Sequence, residues 1–196
     1  MEKRFAFFLS FIFLLLAACN RPNTESRDTN LSIPTEDEGR PVEEELLNET
    51  NVDDDALGFM KDAAHGGTME VELGILAQEK GRSQRVKNFG EMMVKDHKAA
   101  YEALAKLGAE KNVLIKYAMK PEQQKQVEEL KQLSGAEFDK RYIDMMVKNH
   151  TKDISAFEAA ADNRDKQVNR FATETLPTLR MHLDSAKAIQ ASLNRN

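Results

Sequence analysis

The chain has 196 residues, and its 28 basic and 33 acidic residues leave a formal net charge of −5. One cysteine, no tryptophan, five prolines and nine glycines exclude a disulfide scaffold, a zinc ribbon and a collagen-like repeat. The charge balance argues against a nucleic-acid partner. Ten phenylalanines look ample for a core, but Phe5, Phe7, Phe8, Phe11 and Phe13 all precede residue 19, leaving five Phe and three Tyr for the rest.

Residues 1–18 read as a lipoprotein signal peptide. Lys3 and Arg4 give a positive start, and an apolar run from Phe5 to Leu16 follows. Such a run is too short for a membrane span, which needs about 20 residues for about 30 Å of hydrocarbon. It suits a signal-peptide core. Leu16-Ala17-Ala18-Cys19 resembles a bacterial lipobox, with cleavage before Cys19 and lipidation of its thiol. Stable anchoring takes more than one acyl chain, which a multiply acylated Cys19 would supply. Asn20, where some bacteria read Asp as an inner-membrane retention mark, favours the outer membrane. The expected location is therefore membrane-anchored, on the periplasmic side.

Residues 19–55 read as a disordered acidic tether. They hold Pro22, Pro34 and Pro41 and few large apolar residues, and Cys19 to Gly58 carries a net charge of −9. Such a segment buries too little apolar surface to offset its ordering entropy. Residues 59–196 carry a net +3.

From residue 56 to 196 the spacing predicts a helical bundle, because apolar residues recur every three or four positions and no stretch alternates like a strand. The first helix is expected over about 56–80, with Gly81 at its left-handed C-terminal position. Ser83 is placed to cap a second helix over about 84–108 that ends on Gly108. A weaker helix starts near Pro121 and runs to about Leu133. Ser134-Gly135-Ala136-Glu137 resembles a capping box opening a helix over about 135–161. Asp165 can cap the last helix, to about 193. Pro177 falls inside it, so a kink, or a restart capped by Thr175, is expected.

Short connections within each pair predict two antiparallel hairpins. The middle connection of about 26 residues is long enough to cross a helix of about 36 Å, so the second and third long helices can run parallel. That is the ferritin-like arrangement; an up-down-up-down bundle is the alternative. A weak internal repeat fits two hairpins. Arg82 to Ala100 and Arg164 to Ala186 both run R-x-x-x-V-x-x-F and later reach H-x-x-A, with three extra residues near Pro177.

The four histidines fall one per long helix. His97, His150 and His182 lie near the middle of theirs and share faces with apolar residues, and His65 lies nearer the start of its own. Glu70 and Glu72 come to about the same level on the first helix. A divalent transition metal held by His97, His150 and His182 with Glu70 or Glu72 is therefore conceivable. The competing reading is three hydrogen-bonded core histidines, satisfied by Asp96, Asp144, Asp153 or Tyr142. A di-iron site would need Glu-x-x-His on two helices. Val94, Val147 and Leu179 stand at those places, so ferroxidase or oxygenase chemistry is not expected. Met92-Met93 and Met145-Met146 read as core packing. Neither a phosphate loop nor a nucleophile elbow is present.

Four segments resemble the bacterial domain-of-unknown-function 4142 (DUF4142) family: AAHGGTMEVELGILAQEK (63–80), VKNFGEMMVKDHKAA (86–100), LSGAEFDKRYIDMMVKNHTKDISAFE (133–158) and TLPTLRMHLDSA (175–186). The resemblance spans roughly 57–193. It implies an all-α, ferritin-like four-helix bundle in an exported protein, often described as an outer membrane protein, and it implies no settled activity. The expected function is thus a lipid-anchored, non-catalytic binding or envelope-stress module, tied to the membrane through Cys19. The alternative is a metal-binding protein or metal-dependent enzyme using the midplane histidines.

Overall fold

The computed structural model describes residues 52–195, so the expected signal peptide, Cys19 and nearly all of the tether lie outside the described residues. Five helices follow one another: α1 (Asp54–Lys80), α2 (Gln84–Glu110), α3 (Pro121–Lys131), α4 (Gly135–Ala161) and α5 (Lys166–Leu193). The bundle is all-helical, as the spacing predicts.

Most termini fall where the sequence places them, but the capping chemistry differs. Asp53 opens α1 two residues early by accepting the Ala56 amide at 2.7 Å. Asp54 and Asp55 in the first turn suit the positive end of the helix dipole. Gly81 stands at the end of α1 with φ −59, so it is not a left-handed cap. Gly108 does not end α2, which runs on to Glu110, and the left-handed residue is Asn112 with φ 56. Gly108 instead lets the returning chain pack, because a Cβ there would meet Ile115 Cγ1 at 2.6 Å. Ser83 and Ser134 hold the N-cap positions of α2 and α4 without a side-chain cap bond, so the expected capping box does not form. Asp139 makes a different link. Its carboxylate accepts the Arg82 and Ser83 amides at 2.9 and 2.8 Å and so pins α4 to the α1–α2 turn. Asp165 caps α5 as expected. Pro177 lies inside one unbroken α5, and Thr175 is no cap; its hydroxyl donates back to the Phe171 carbonyl at 2.7 Å.

Two contacts fix the topology. Gly135, at the start of α4, lies beside Gly81. At the other end Lys111, just after α2, reaches Asp165 at 2.5 Å, just before α5. Helices α2 and α4 therefore start at the same end and run parallel, so the long connection is a ferritin-like crossover. Around the bundle each long helix has two antiparallel neighbours, in the order α1, α2, α5, α4. The crossover helix α3 leans on α1 and α4.

The α1–α2 seam is close because two glycines face each other. A Cβ on Gly74 would sit 2.8 Å from the Gly90 carbonyl oxygen, and one on Gly90 would sit 2.6 Å from that of Gly74. The core divides into two apolar clusters. One is built on Leu73, Phe89, Met93, Phe138, Tyr142 and Met146. The other is built on Met60, Leu104, Phe157, Val168, Phe171 and Leu179. Between them lies a layer of buried polar side chains: Glu70, His97, His150 and His182.

Candidate metal centre

Each residue of this layer comes from a different long helix. His97 is set on α2 by the stripe Phe89, Met93, Leu104, and His150 on α4 by Met146 and Phe157; these apolar neighbours are buried and drag the imidazoles inward. His182 follows Leu179 on α5, and Glu70 follows Met69 on α1. His150 and His182 are fully buried, and His97 nearly so. One nitrogen from each of the three rings lies within 4.8 Å of the other two.

The outer partners decide which nitrogens face inward. His150 Nδ1 lies 3.0 Å from the Met146 carbonyl oxygen, which can only accept, so that nitrogen carries the proton. His182 Nε2 lies 3.0 Å from Asp96 Oδ2 and donates to it. His97 Nδ1 faces Glu70 Oε2 at 3.4 Å. The remaining nitrogens are His150 Nε2, His182 Nδ1 and His97 Nε2. The first two approach each other at 3.3 Å, and His97 Nε2 is buried with no protein partner. Two neutral acceptors facing each other repel unless a cation lies between them. Backing a ligating imidazole with a carboxylate or carbonyl is also the usual outer arrangement of a histidine metal site.

A proton on a ring is the competing way to relieve this repulsion, and the surroundings resist it. Burial holds His97 well below the usual imidazole range, and His150 and His182 push it lower still. Burial and His182 bring His150 down to about 4, against the opposing pull of the Met146 carbonyl. Burial also lowers His182, with Asp96 partly offsetting it. The three rings are therefore neutral at pH 7, the form that binds metal.

Glu70 is brought to the layer, but beside Nδ1 of His97 and His150, at 3.4 and 3.3 Å, rather than among the converging nitrogens. Its carboxyl is raised well above the usual range by burial and then by Asp153. Asp153 is itself raised to about 6, chiefly by burial. Glu72, the other expected carboxylate, is not brought in; it turns outward to Lys131 at 3.5 Å. His65 also stays apart, with its Nδ1 against the Ala118 carbonyl, tying the crossover to α1. Of the residues expected to satisfy core histidines, Asp96 does so. Asp144 instead pairs with Lys140 and Gln190, and the Tyr142 hydroxyl is buried without a partner. The methionine pairs pack in or against the apolar core.

A cleft of about 740 Å3 opens on the α1–α4 side and reaches Glu70 and His97 at its floor. Gly66 and Gly67 of α1 form part of its wall. Sequence reasoning did not single out this glycine pair, although two adjacent glycines inside a helix are a readable irregularity.

Comparison with known proteins adds the fold and a family but no chemistry. A family model described as a domain of unknown function, DUF4142, matches residues 42–189. A solved DUF305 fragment from Deinococcus radiodurans is similar in structure, with a TM-score of 0.63 at 13% identity, covering 74% of this chain and 98% of that one. No curated protein matches.

Proposed function

The chain belongs to the DUF4142 family, and from that premise we propose that it is a non-catalytic binding module. Its ligand is a divalent transition metal held by His97, His150 and His182. The observation that carries this reading is the convergence of three buried imidazole rings, one nitrogen of each within 4.8 Å of the other two, with His97 Nε2 left without a protein partner. Imidazole donors suit Zn, Cu, Fe and Ni. Glu70 and Asp96 orient the rings. The module is carried at a membrane surface by a lipidated Cys19, on the periplasmic side of the outer membrane; the lipobox and the acidic tether support this placement.

A metal that binds only the folded state raises its stability, by about 2.7 kcal/mol at one hundred times the dissociation constant. Adding Zn2+ to tag-free protein in a melting experiment is expected to raise the wild-type transition and to leave that of His97→Ala, His150→Ala unmoved. Equal behaviour of the two proteins would overturn the metal reading. For the anchor, Cys19→Ser is expected to leave the membrane fraction; a variant that still sediments with membranes as the wild type does would refute lipidation.

A further inference from the structure

The cleft between α1 and α4 is lined by side chains that the converging histidine nitrogens do not use. On α1, Phe59, Ala63 and Glu70 fall on one face at helical spacing, and on α4 Asp153 and Phe157 stand four residues apart. Phe171 of α5 completes a trio of rings that line the cleft. The Phe59 ring is centred 4.9 Å from that of Phe157 and 6.2 Å from that of Phe171, and the last two are 5.9 Å apart. Leu104 and Leu179 extend this apolar end, while Ala63 and Ala156 take up little of the space.

Next to the rings lies a carboxyl pair. Glu70 is 3% exposed and lines the cleft, and its Oε1 accepts no hydrogen bond. His150 Nδ1 lies 3.3 Å from that oxygen, but its proton is committed to the Met146 carbonyl. Asp153 adjoins Glu70 and is half-buried. Its carboxyl, raised only to about 6, is ionised at pH 7. Among the described residues neither carboxyl is ion-paired with a lysine or arginine. Arg141, Lys148 and Lys152 line the cleft too, but they are exposed, and solvent and salt screen their charges.

A buried carboxylate is costly without a cation to meet it. Aromatic faces also attract cations. A cleft of about 740 Å3 with apolar walls and a few convergent polar groups has the size and make-up of a small-molecule site. A bare metal ion would use the carboxyls and leave the rings idle, and an anion would be repelled by the carboxyls. An ammonium group on an apolar body engages both.

We infer that the α1–α4 cleft is a second ligand site that takes a small organic cation, with a primary ammonium seated on Asp153 and Glu70 and its apolar body against Phe59, Phe157 and Phe171. The site goes beyond the trihistidine layer and needs no bound metal.

The test is calorimetric titration of the tag-free full chain, without added metal, with 2-phenylethylammonium. Phenylacetate, of similar shape and opposite charge, is the paired probe. Wild type is expected to bind the ammonium saturably and about tenfold or more tighter than phenylacetate, because like charge in the cleft rejects the anion. Asp153→Asn keeps the side-chain shape and removes its charge; it is expected to weaken the ammonium about tenfold or more and to leave zinc uptake at the wild-type level. Ala156→Leu, which fills cleft space from α4, is expected to weaken the ammonium likewise and decides the matter if Asp153→Asn does not fold. Absence of saturable ammonium binding by wild type at millimolar concentration overturns the inference, as does equal affinity for phenylacetate. Unchanged affinity in Asp153→Asn, or in Ala156→Leu where it is the deciding variant, overturns it as well. Loss of zinc uptake together with ammonium binding in Asp153→Asn would make Asp153 part of the metal layer and overturn the second site.

Discussion

Nε2 of His150 and Nδ1 of His182 face each other at 3.3 Å in the centre of the bundle, and the opposite nitrogen of each ring is already committed to an acceptor. With the outer nitrogens donating, both inward nitrogens are lone-pair acceptors, and the layer lies between the two apolar clusters. In that tautomer the arrangement costs stability without a cation and gains it with one. That asymmetry separates a metal layer from three ordinary core histidines.

Replacing His150 by Leu removes one of the opposed acceptors and keeps roughly the buried volume. The Met146 carbonyl that it contacts retains its place in the helix. Without added metal, His150→Leu is expected to stay within about 1 kcal/mol of wild type by urea unfolding, since it removes the acceptor opposed to His182 Nδ1 along with the bond to the Met146 carbonyl. With Zn2+ present wild type is expected to be the more stable. A large loss without metal would mark His150 as a structural hydrogen-bonding residue.

Asp139 is 2% exposed and binds the Arg82 and Ser83 amides, which joins the two hairpins at one end. Asp139→Ala leaves both amides without that acceptor. The expected loss is about 2–3 kcal/mol, in line with hydrogen bonds to a charged group. Amide exchange at Arg82 and Ser83 should quicken before global unfolding, and unchanged protection there would refute the role.

The glycine pairs are expected to respond oppositely to the same substitution. Gly90→Ala puts a methyl against the Gly74 carbonyl and should cost about 1–3 kcal/mol, as overpacked sites do. Gly66→Ala enters open space and should add about 0.5–1 kcal/mol through helix propensity. Urea midpoints measure both.

Asp165 gives a pH signature. Burial alone would raise its carboxyl; the Lys111 ammonium and the Val168 and Gln167 amides outweigh that and hold it below the usual range. Its stabilising contribution is thus complete above the unfolded value, about 4, and is lost as the pH falls through the lowered folded value. The gap in stability between wild type and Asp165→Asn should be constant from neutral pH to about 5, then shrink as the pH falls below the unfolded value of about 4. A gap independent of pH over that range would show that the charge contributes nothing.

Helix existence was legible because burial follows the three-to-four spacing, and Asp165 and Pro121 act where their side-chain chemistry predicts. The misses share a cause: a distant group satisfied a local need. Asp139 reaches across from α4 to the Arg82 and Ser83 amides, and Ile115 in the crossover claimed the space at Gly108. The parallel crossover needed Gly81 beside Gly135, a contact over 54 residues that no local pattern encodes. At the site, the one-per-helix spacing put three histidines near one level, and the structure brings one nitrogen of each within 4.8 Å of the others. The spacing could not tell Glu70 from Glu72, two residues apart on α1, since the helix phase that buries one exposes the other.

The central claim meets its most direct test in elemental analysis of tag-free protein equilibrated with Zn2+ and then dialysed. The account predicts one zinc per chain in wild type and none in the His97→Ala, His150→Ala variant. Zinc well below one per chain in folded wild type, or equal zinc in both proteins, would contradict it.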